Sequence, residues 1–542
     1  MANVNEHDFP PLPQTNATQR DASKTHPSLP HKQGHSVTLN DLPDELILEI
    51  LEHIPKIQYH DNHQFQTLLN FGCTSHRFYE IITKKVYARF SNTFGEPTLF
   101  LRTIISNPRL ARFIRDIDIR LEWETDVMPL HTPTAQDKKV IKEGLRELDI
   151  PHWKEWATKC YGDVNDNGRL RNITILLFTP NVESIHISDE FEPEAPRPTW
   201  VDMISKAAIG AFGNTHGFQQ LHSISVQLGP VTLKQIAPLF HMQSLRTLRL
   251  EGTLECNWLD DHKQPRYLKQ NVQEIRHLIP PACNNVERLF LHDVFYTEDC
   301  LEVLVASARR LNAFKYFTSI HAVPIFPPTS KSKTVIGILD RHKASLETIR
   351  VSRCSSTDRE HPDKSYLRED MKAFKSLKEL SCPLSLIMLG PNDEFADRLP
   401  SSLETFRTFI RYDADDREYF GGLAHLVLSC QTHVPRLREV RVVTSHYWPK
   451  EFKELKEKFT RMCTDAGISF VHEKGDEDTE DEVCGVSSDE EDLFHDYGAH
   501  DDGEPENEVD YEDESMDGWS DEVDDFSDKG FYSSRGNHRG FW

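Results

Sequence analysis

The sequence predicts a mixed α/β protein. It reads as a small three-helix unit near the N-terminus, an irregular α/β solenoid through the middle and a disordered segment at each end. Three observations predict this. An apolar-x-x-apolar-x-apolar pattern recurs ten times between residues 95 and 472. Helix-period stretches precede several of these units. Composition changes sharply at both ends, and 27 Asp or Glu stand against one Lys between Glu473 and Asp528.

The repeat units are Ile114/Ile117/Ile119, Val182/Ile185/Ile187, Leu221/Ile224/Val226, Leu245/Leu248/Leu250 and Val286/Leu289/Leu291. They continue as Leu311/Phe314/Tyr316, Leu346/Ile349/Val351, Leu377/Leu380/Cys382 and Leu437/Val440/Val442, with Leu403/Phe406/Thr408 a weaker member. Polar residues stand between the apolar ones, as in "LRTLRL" and "LETIRV", and such alternation argues for short half-buried strands. "LKQIAPLF", "NVQEIRHL", "CLEVLVASARR", "TVIGILDRH" and "LAHLVLSC" read as the helices between them. One strand–helix unit cannot bury its own apolar face, so neighbours must stack. The pattern resembles the first half of the leucine-rich repeat, and only the unit at Leu346 carries a Cys or Asn at the ninth position, Cys354. The resemblance implies a degenerate leucine-rich-repeat-like array. The units start 24 to 41 residues apart except for one gap of 68. That gap leaves room for the helices "AQDKKVIKEGLREL" and "PHWKEWATKC".

The net charge of -25 is concentrated in the tail, and residues 1–472 sum to only -2. A basic nucleic-acid footprint is therefore missing from the body. Residues 473–542 read as an acidic disordered tail, because a carboxylate-rich chain buries too little surface to offset its entropy. Ser487 and Ser488 within it are either sites for an acidophilic kinase or part of an unmodified solubilising tail. Residues 1–38 read as a disordered leader, in which "FPPLP" is either a ligand for an SH3-like module or plain linker. No signal peptide and no apolar run of membrane-spanning length is evident. Ten cysteines without a CxxC pair fit free thiols in a reducing compartment, so cytoplasm or nucleus is expected.

The helical unit spans 39–94. Its first helix is expected to start at Pro43, whose missing N–H is no loss there. Asp44 and Glu45 follow, favourable at the positive end of the helix dipole. On a helical wheel Leu46, Ile47, Leu48, Ile50, Leu51 and Ile54 cover roughly 200°, twice what a helix lying on a core needs. Either the helix is sandwiched inside a larger protein, or one face packs inward and the other meets a partner.

"LPDELILEIL" followed by "LLNFGCTSHRFYEI" resembles the F-box motif of fungal members. Leu42, Pro43, Glu45, Leu46, Ile50 and Leu51 match its first part, and Ser75 and Phe78 its second. Ser75 stands for the more usual Cys and Phe78 for Trp, and the loop around Tyr59–Gln64 is a few residues long. The resemblance implies the substrate-recognition subunit of an SCF-type (Skp–cullin–F-box) ubiquitin ligase. Its partners would be a Skp-type adaptor, through it a cullin, and an unknown protein substrate held by the repeats. An F-box scaffold acting outside ubiquitination is the alternative. The adaptor-binding candidates are Leu42, Pro43, Leu46, Ile47, Ile50, Leu51, Ser75 and Phe78. The resemblance implies no catalytic residue, cofactor, metal, nucleic acid or membrane.

Competing chemistry is thinly supported. Cys73-x-x-His76 has no third group nearby to orient or coordinate. His53, His60 and His63 straddle a helix end and a loop. No dinucleotide fingerprint, P-loop, HExxH or nucleophile elbow occurs. Trp123, Trp153, Trp156 and Trp258 are candidates for target contact, although packing is the commoner use of Trp. "SKSK" at 330–333 reads as a solvated loop.

Overall fold

The computed structural model describes residues 38–53, 63–93, 96–121, 131–161, 164–189, 198–228, 232–252, 256–257, 266–267, 272–292, 294, 298–318, 334–353, 367, 370–388, 393–410, 416–444 and 450–474. "FPPLP", His60, Trp123, Trp258, "SKSK", Cys354, Ser487, Ser488 and the tail beyond Lys474 lie outside the described residues.

Three helices come first: α1 (Asp44–Glu52), α2 (His63–Gly72) and α3 (His76–Val86). Strand β1 (Arg89–Ser91) follows, then α4 (Pro97–Ser106), α5 (Pro108–Ala111) and β2 (Asp116–Arg120). The long gap between repeats holds α6 (Ala135–Glu147), α7 (Trp153–Tyr161) and α8 (Val164–Leu177), ahead of β3 (Ser184–Asp189). Then come α9 (Thr199–Ala208), β4 (Ser223–Leu228), α10 (Leu233–Ile236) and β5 (Thr247–Glu251). A small antiparallel ribbon, β6 (Cys256–Asn257) with β7 (Arg266–Tyr267), is inserted before α11 (Val272–Leu278). The order continues with β8 (Arg288–His292), α12 (Glu298–Ser307), β9 (Ala313–Thr318), α13 (Val335–Leu339) and β10 (Thr348–Arg353). It closes with β11 (Glu379–Ser381), α14 (Leu384–Ile387), β12 (Thr405–Ile410), α15 (Asp416–His433), β13 (Glu439–Thr444), α16 (Lys450–Asp465) and β14 (Ser469–Lys474).

All strands except the ribbon form one 12-stranded sheet, in the order in which they occur in the chain. Neighbours pair in parallel throughout. Parallel strands need crossovers, and crossovers are right-handed. A strand order that never reverses therefore stacks the helices on one side, which is the solenoid plan. The register keeps each repeat's middle residue beside its neighbour's: Phe90, Ile117, Ile185, Ile224, Leu248 and Leu289 lie in one row. The row runs on through Phe314, Ile349, Leu380, Phe406, Val440 and Phe470. All except Phe470 are buried, and Phe470 packs on the same core.

A backbone device repeats with the strands. The Ala88 carbonyl accepts the N–H groups of Arg115 and Asp116, and that of Arg115 accepts those of Glu183 and Ser184. The pattern continues to Glu404, whose carbonyl accepts from Arg438 and Glu439. Side chains at these positions pair along the rim: Arg115 with Glu183, Arg246 with Glu287, Lys378 with Glu347. Exposed pairs of this kind contribute little each, so the solenoid rests chiefly on its apolar rows.

The sheet crosses both boundaries expected from the sequence. Strand β1 falls inside the segment assigned to the helical unit, and β14 runs two residues past 472. Each breaks the repeat pattern at its third apolar position, where Asn92 and His472 stand. Asn92 is itself buried, its amide satisfied by a pair of hydrogen bonds to the Arg120 backbone at 2.8 and 2.9 Å. The unit ending in β14 also has Gly467 in place of a leading apolar residue. Its φ of +73° ends α16 in the left-handed conformation that favours glycine.

His342 is built into the solenoid in the neutral form. The Leu311 N–H donates to His342 Nδ1 at 3.3 Å, so Nε2 carries the proton facing the Val305 carbonyl at 3.0 Å. Protonating Nδ1 breaks the first bond. Burial lowers the pKa of His342, and likewise of His186 and His216. The unfolded chain then takes up protons first as pH falls below about 6.5. Stability present above that pH is lost on acidification, so the melting temperature should drop between pH 7 and pH 5. Fluorescence melts at the two pH values test this, and an unchanged or higher value at pH 5 contradicts it.

Candidate docking helix and open sheet face

The three N-terminal helices have a core of their own. Ile47, Leu51, Leu68, Phe78, Ile81 and Ile82 form it, with Leu42, Phe71 and Val86 packed at its edge. Phe71 stacks on Phe78 with ring centroids 4.4 Å apart. Ser75 is the N-cap of α3: its extended backbone lets Oγ accept the Phe78 N–H at 3.1 Å. Caps of this kind contribute about 0.5–2 kcal/mol.

Helix α1 carries two apolar ridges, each with i, i+4 spacing. The inner one, Ile47 and Leu51, is 1% and 3% exposed, and the outer one, Leu46 and Ile50, is 45% and 48% exposed. Leu39, Leu48, Leu69 and Tyr79 are further large apolar side chains left in solvent around this unit. The eight residues singled out from sequence thus divide. Pro43, Leu46 and Ile50 face outward, Leu42 is half-buried, Ile47, Leu51 and Phe78 are core, and Ser75 caps a helix. Pro43 itself is extended, and α1 starts one residue later than the sequence suggested.

Arg77 holds the start of α1 in place, and the sequence reading had no role for it. Its guanidinium donates to the carbonyls of Asn40 and Leu42 and pairs with the Asp44 carboxylate. Just before them Asp41 closes a turn by accepting from the Thr38 N–H and hydroxyl, both at 2.8 Å. The Arg77 contacts join residues 33 to 37 positions apart, and no local pattern signals them. Arg77→Ala should destabilise the unit by about 0.5–1.5 kcal/mol by removing these largely exposed bonds. Amide exchange at residues 39–47 should quicken, and Arg77→Lys should rescue it only partly, because an ammonium cannot reproduce the fork. Unchanged exchange would contradict the assignment.

The strand face turned away from the helices is the second candidate surface. In β5 Leu248 and Leu250 are buried while Thr247, Arg249 and Glu251 are half-buried, so one face packs and the other is polar. Among the candidate tryptophans, Trp156 serves packing: Nε1 donates to Thr174 Oγ1 at 2.7 Å and its ring meets Phe212 edge-on. Trp153 packs against the same core.

Cys73, Cys160, Cys283, Cys300, Cys382, Cys430 and Cys463 are free thiols. Burial pushes the Cys160 thiol to about 11 and that of Cys463 to about 12. Such thiols stay protonated near neutrality and are poor nucleophiles. Cys73 and His76 both lie exposed around the start of α3. Among the described residues no group of three or more His, Cys, Asp or Glu is arranged to hold a metal ion. No described helix is long and apolar enough to cross a membrane.

A compact helical unit with a surplus apolar ridge precedes a long parallel solenoid. Residues 39–87 match the family model of the F-box domain, which ends where β1 begins to extend the sheet. No curated protein matches the chain. The chain carries an F-box domain. Such domains bind Skp-type adaptors, and the proteins that carry them serve in substrate recognition by SCF-type ubiquitin ligases, typically as non-catalytic adaptors.

Proposed function

We propose that the chain is the substrate-recognition subunit of an SCF-type ubiquitin ligase, at work in the cytoplasm or nucleus. The outer ridge of α1, with Leu42 and Pro43 beside it, docks on the Skp-type adaptor and through it on a cullin. The inner ridge, Phe78 and the Ser75 cap hold that ridge in shape. Residues 89–474, a degenerate leucine-rich-repeat-like array, capture the target protein. Ubiquitin transfer belongs to the recruited conjugating enzyme. This chain contributes proximity, by raising the effective concentration of a target lysine at the charged thioester. The observation that carries the reading is the half-exposed pair Leu46 and Ile50 within the F-box match.

Purification of the full chain from cells tests it. Recovery of both adaptor and cullin, with a protein that accumulates when the gene is deleted, supports the receptor. Adaptor without cullin supports the scaffold alternative.

A further inference from the structure

The last helix of the solenoid borders a groove whose cations are not matched by carboxylates. The groove has a volume of about 550 Å³ and, among the described residues, is lined by Lys453, Lys456, Glu457, Thr460 and Arg461 of α16. Residues at these spacings share one face of a helix. Lys453 is exposed and Lys456 half-buried. Among the described residues neither pairs with a carboxylate; Lys456 Nζ donates instead to His472 Nδ1, at 3.1 Å. Glu457 is the one carboxylate of the lining. It faces Arg461 at 4.0 Å, with both side chains more than half exposed, and such a pair holds loosely. Three cations against one carboxylate leave the lining at +2.

His472 adds no charge of its own and no counter-charge. Burial and the Lys456 ammonium lower its pKa to about 4, so it is neutral near pH 7. Its Nε2 lies 3.0 Å from Thr444 Oγ1. The contact also fixes where the chain leaves the solenoid. Strand β14 ends at Lys474, two residues beyond His472. The sequence then reads "GDEDTEDE", with six carboxylates in the seven residues 476–482. Four extended residues, about 13 Å, separate His472 from Asp476. A loop this short costs little to close, and the tether keeps the carboxylates at high effective concentration beside the groove. From Lys453 to Arg461 the helix rises about 12 Å, a length that four or five extended residues cover.

We propose that residues 476–482 of this chain dock in the α16 groove, their carboxylates set against Lys453, Lys456 and Arg461. The acidic segment then starts along the helix side of the last repeat, away from the polar face of the sheet. The proposal is independent of the receptor reading, and either can fail without the other.

Zero-length cross-linking of the full chain with a water-soluble carbodiimide tests it, since that reagent joins a lysine amine to a carboxylate only where the two touch. Mass spectrometry should find residues 476–482 joined to Lys453 and Lys456 at least fivefold more often than to Lys458. Lys458 is an exposed lysine on the same helix that does not line the groove, so mere closeness in the chain favours it equally. The yield at Lys453 and Lys456 should fall severalfold between about 20 mM and about 500 mM salt, a readout that needs no variant. Lys453→Gln with Arg461→Gln removes two exposed charges, and surface changes of this kind rarely disturb folding. It should cut cross-links at Lys456 at least threefold and leave those at Lys458 unchanged. Equal yields at Lys453, Lys456 and Lys458, or yields indifferent to salt, overturn the proposal. Cross-links to the groove only from residues beyond 482 overturn it by giving the groove to a later segment. Cross-links only between light and heavy copies in a mixture of unlabelled and isotope-labelled chains overturn it by giving the groove to a second molecule.

Discussion

Leu46→Asp combined with Ile50→Asp is expected to abolish co-purification of the Skp-type adaptor while leaving the chain folded. Both side chains are about half exposed, and surface substitutions away from special features usually shift stability by no more than about 0.5 kcal/mol. In a complex, burying their remaining half would contribute about 0.7–1.5 kcal/mol each, and a carboxylate in its place would be buried unpaired at further cost. Losing both costs a factor of roughly 100 or more in affinity, at about 1.4 kcal/mol per tenfold. The comparison that gives this force is Ile47→Asp with Leu51→Asp on the same helix. Those side chains are 1% and 3% exposed, so that pair should unfold the helical unit itself. Adaptor binding by surface plasmon resonance, alongside a melting curve, separates the two. Undiminished binding by the outer-ridge variant would move the interface elsewhere.

Phe78→Ala should unfold the F-box and spare the solenoid. Truncating a buried Phe costs about 3–5 kcal/mol. A unit of about 50 residues rarely has more than about 3–5 kcal/mol to lose. Phe78 sits at the centre of a small core, stacked on Phe71, and that core is separate from the one under the sheet. Hydrogen exchange should therefore lose protection across residues 44–86 and keep it in β3 to β13. Uniform loss along the chain would mean that the two cores unfold together. Full protection in α1 and α3 would mean that the unit draws its stability from elsewhere.

Much of this fold was legible in the sequence, for a physical reason. A strand with one face packed and one polar writes its burial as alternation, and all ten repeats recognised that way are strands of the parallel sheet. The helices proposed in the long gap are there as α6 and α7. What stayed hidden lacked such a signature. The end of α8, "NITILL", is buried nearly all round and has no apolar stripe to find. Strands β1 and β14 place Asn92 and His472 where the pattern wants an apolar residue. At the candidate site the wheel of α1 showed two apolar faces, but which one packs depends on contacts with α2 and α3. The tertiary partners of Arg77 are likewise invisible locally, because they lie more than 30 positions away in the chain.

The central claim is that one chain joins a target to a ubiquitin ligase through two separate surfaces. Ubiquitin transfer in a reconstituted complex of full chain, Skp-type adaptor, cullin and conjugating enzyme tests it most directly, with the co-purified target as acceptor. The account predicts ubiquitin conjugates on that target with wild type, and none with Leu46→Asp plus Ile50→Asp. A fully assembled complex that holds the target and leaves it unmodified would contradict the claim and make the chain a scaffold.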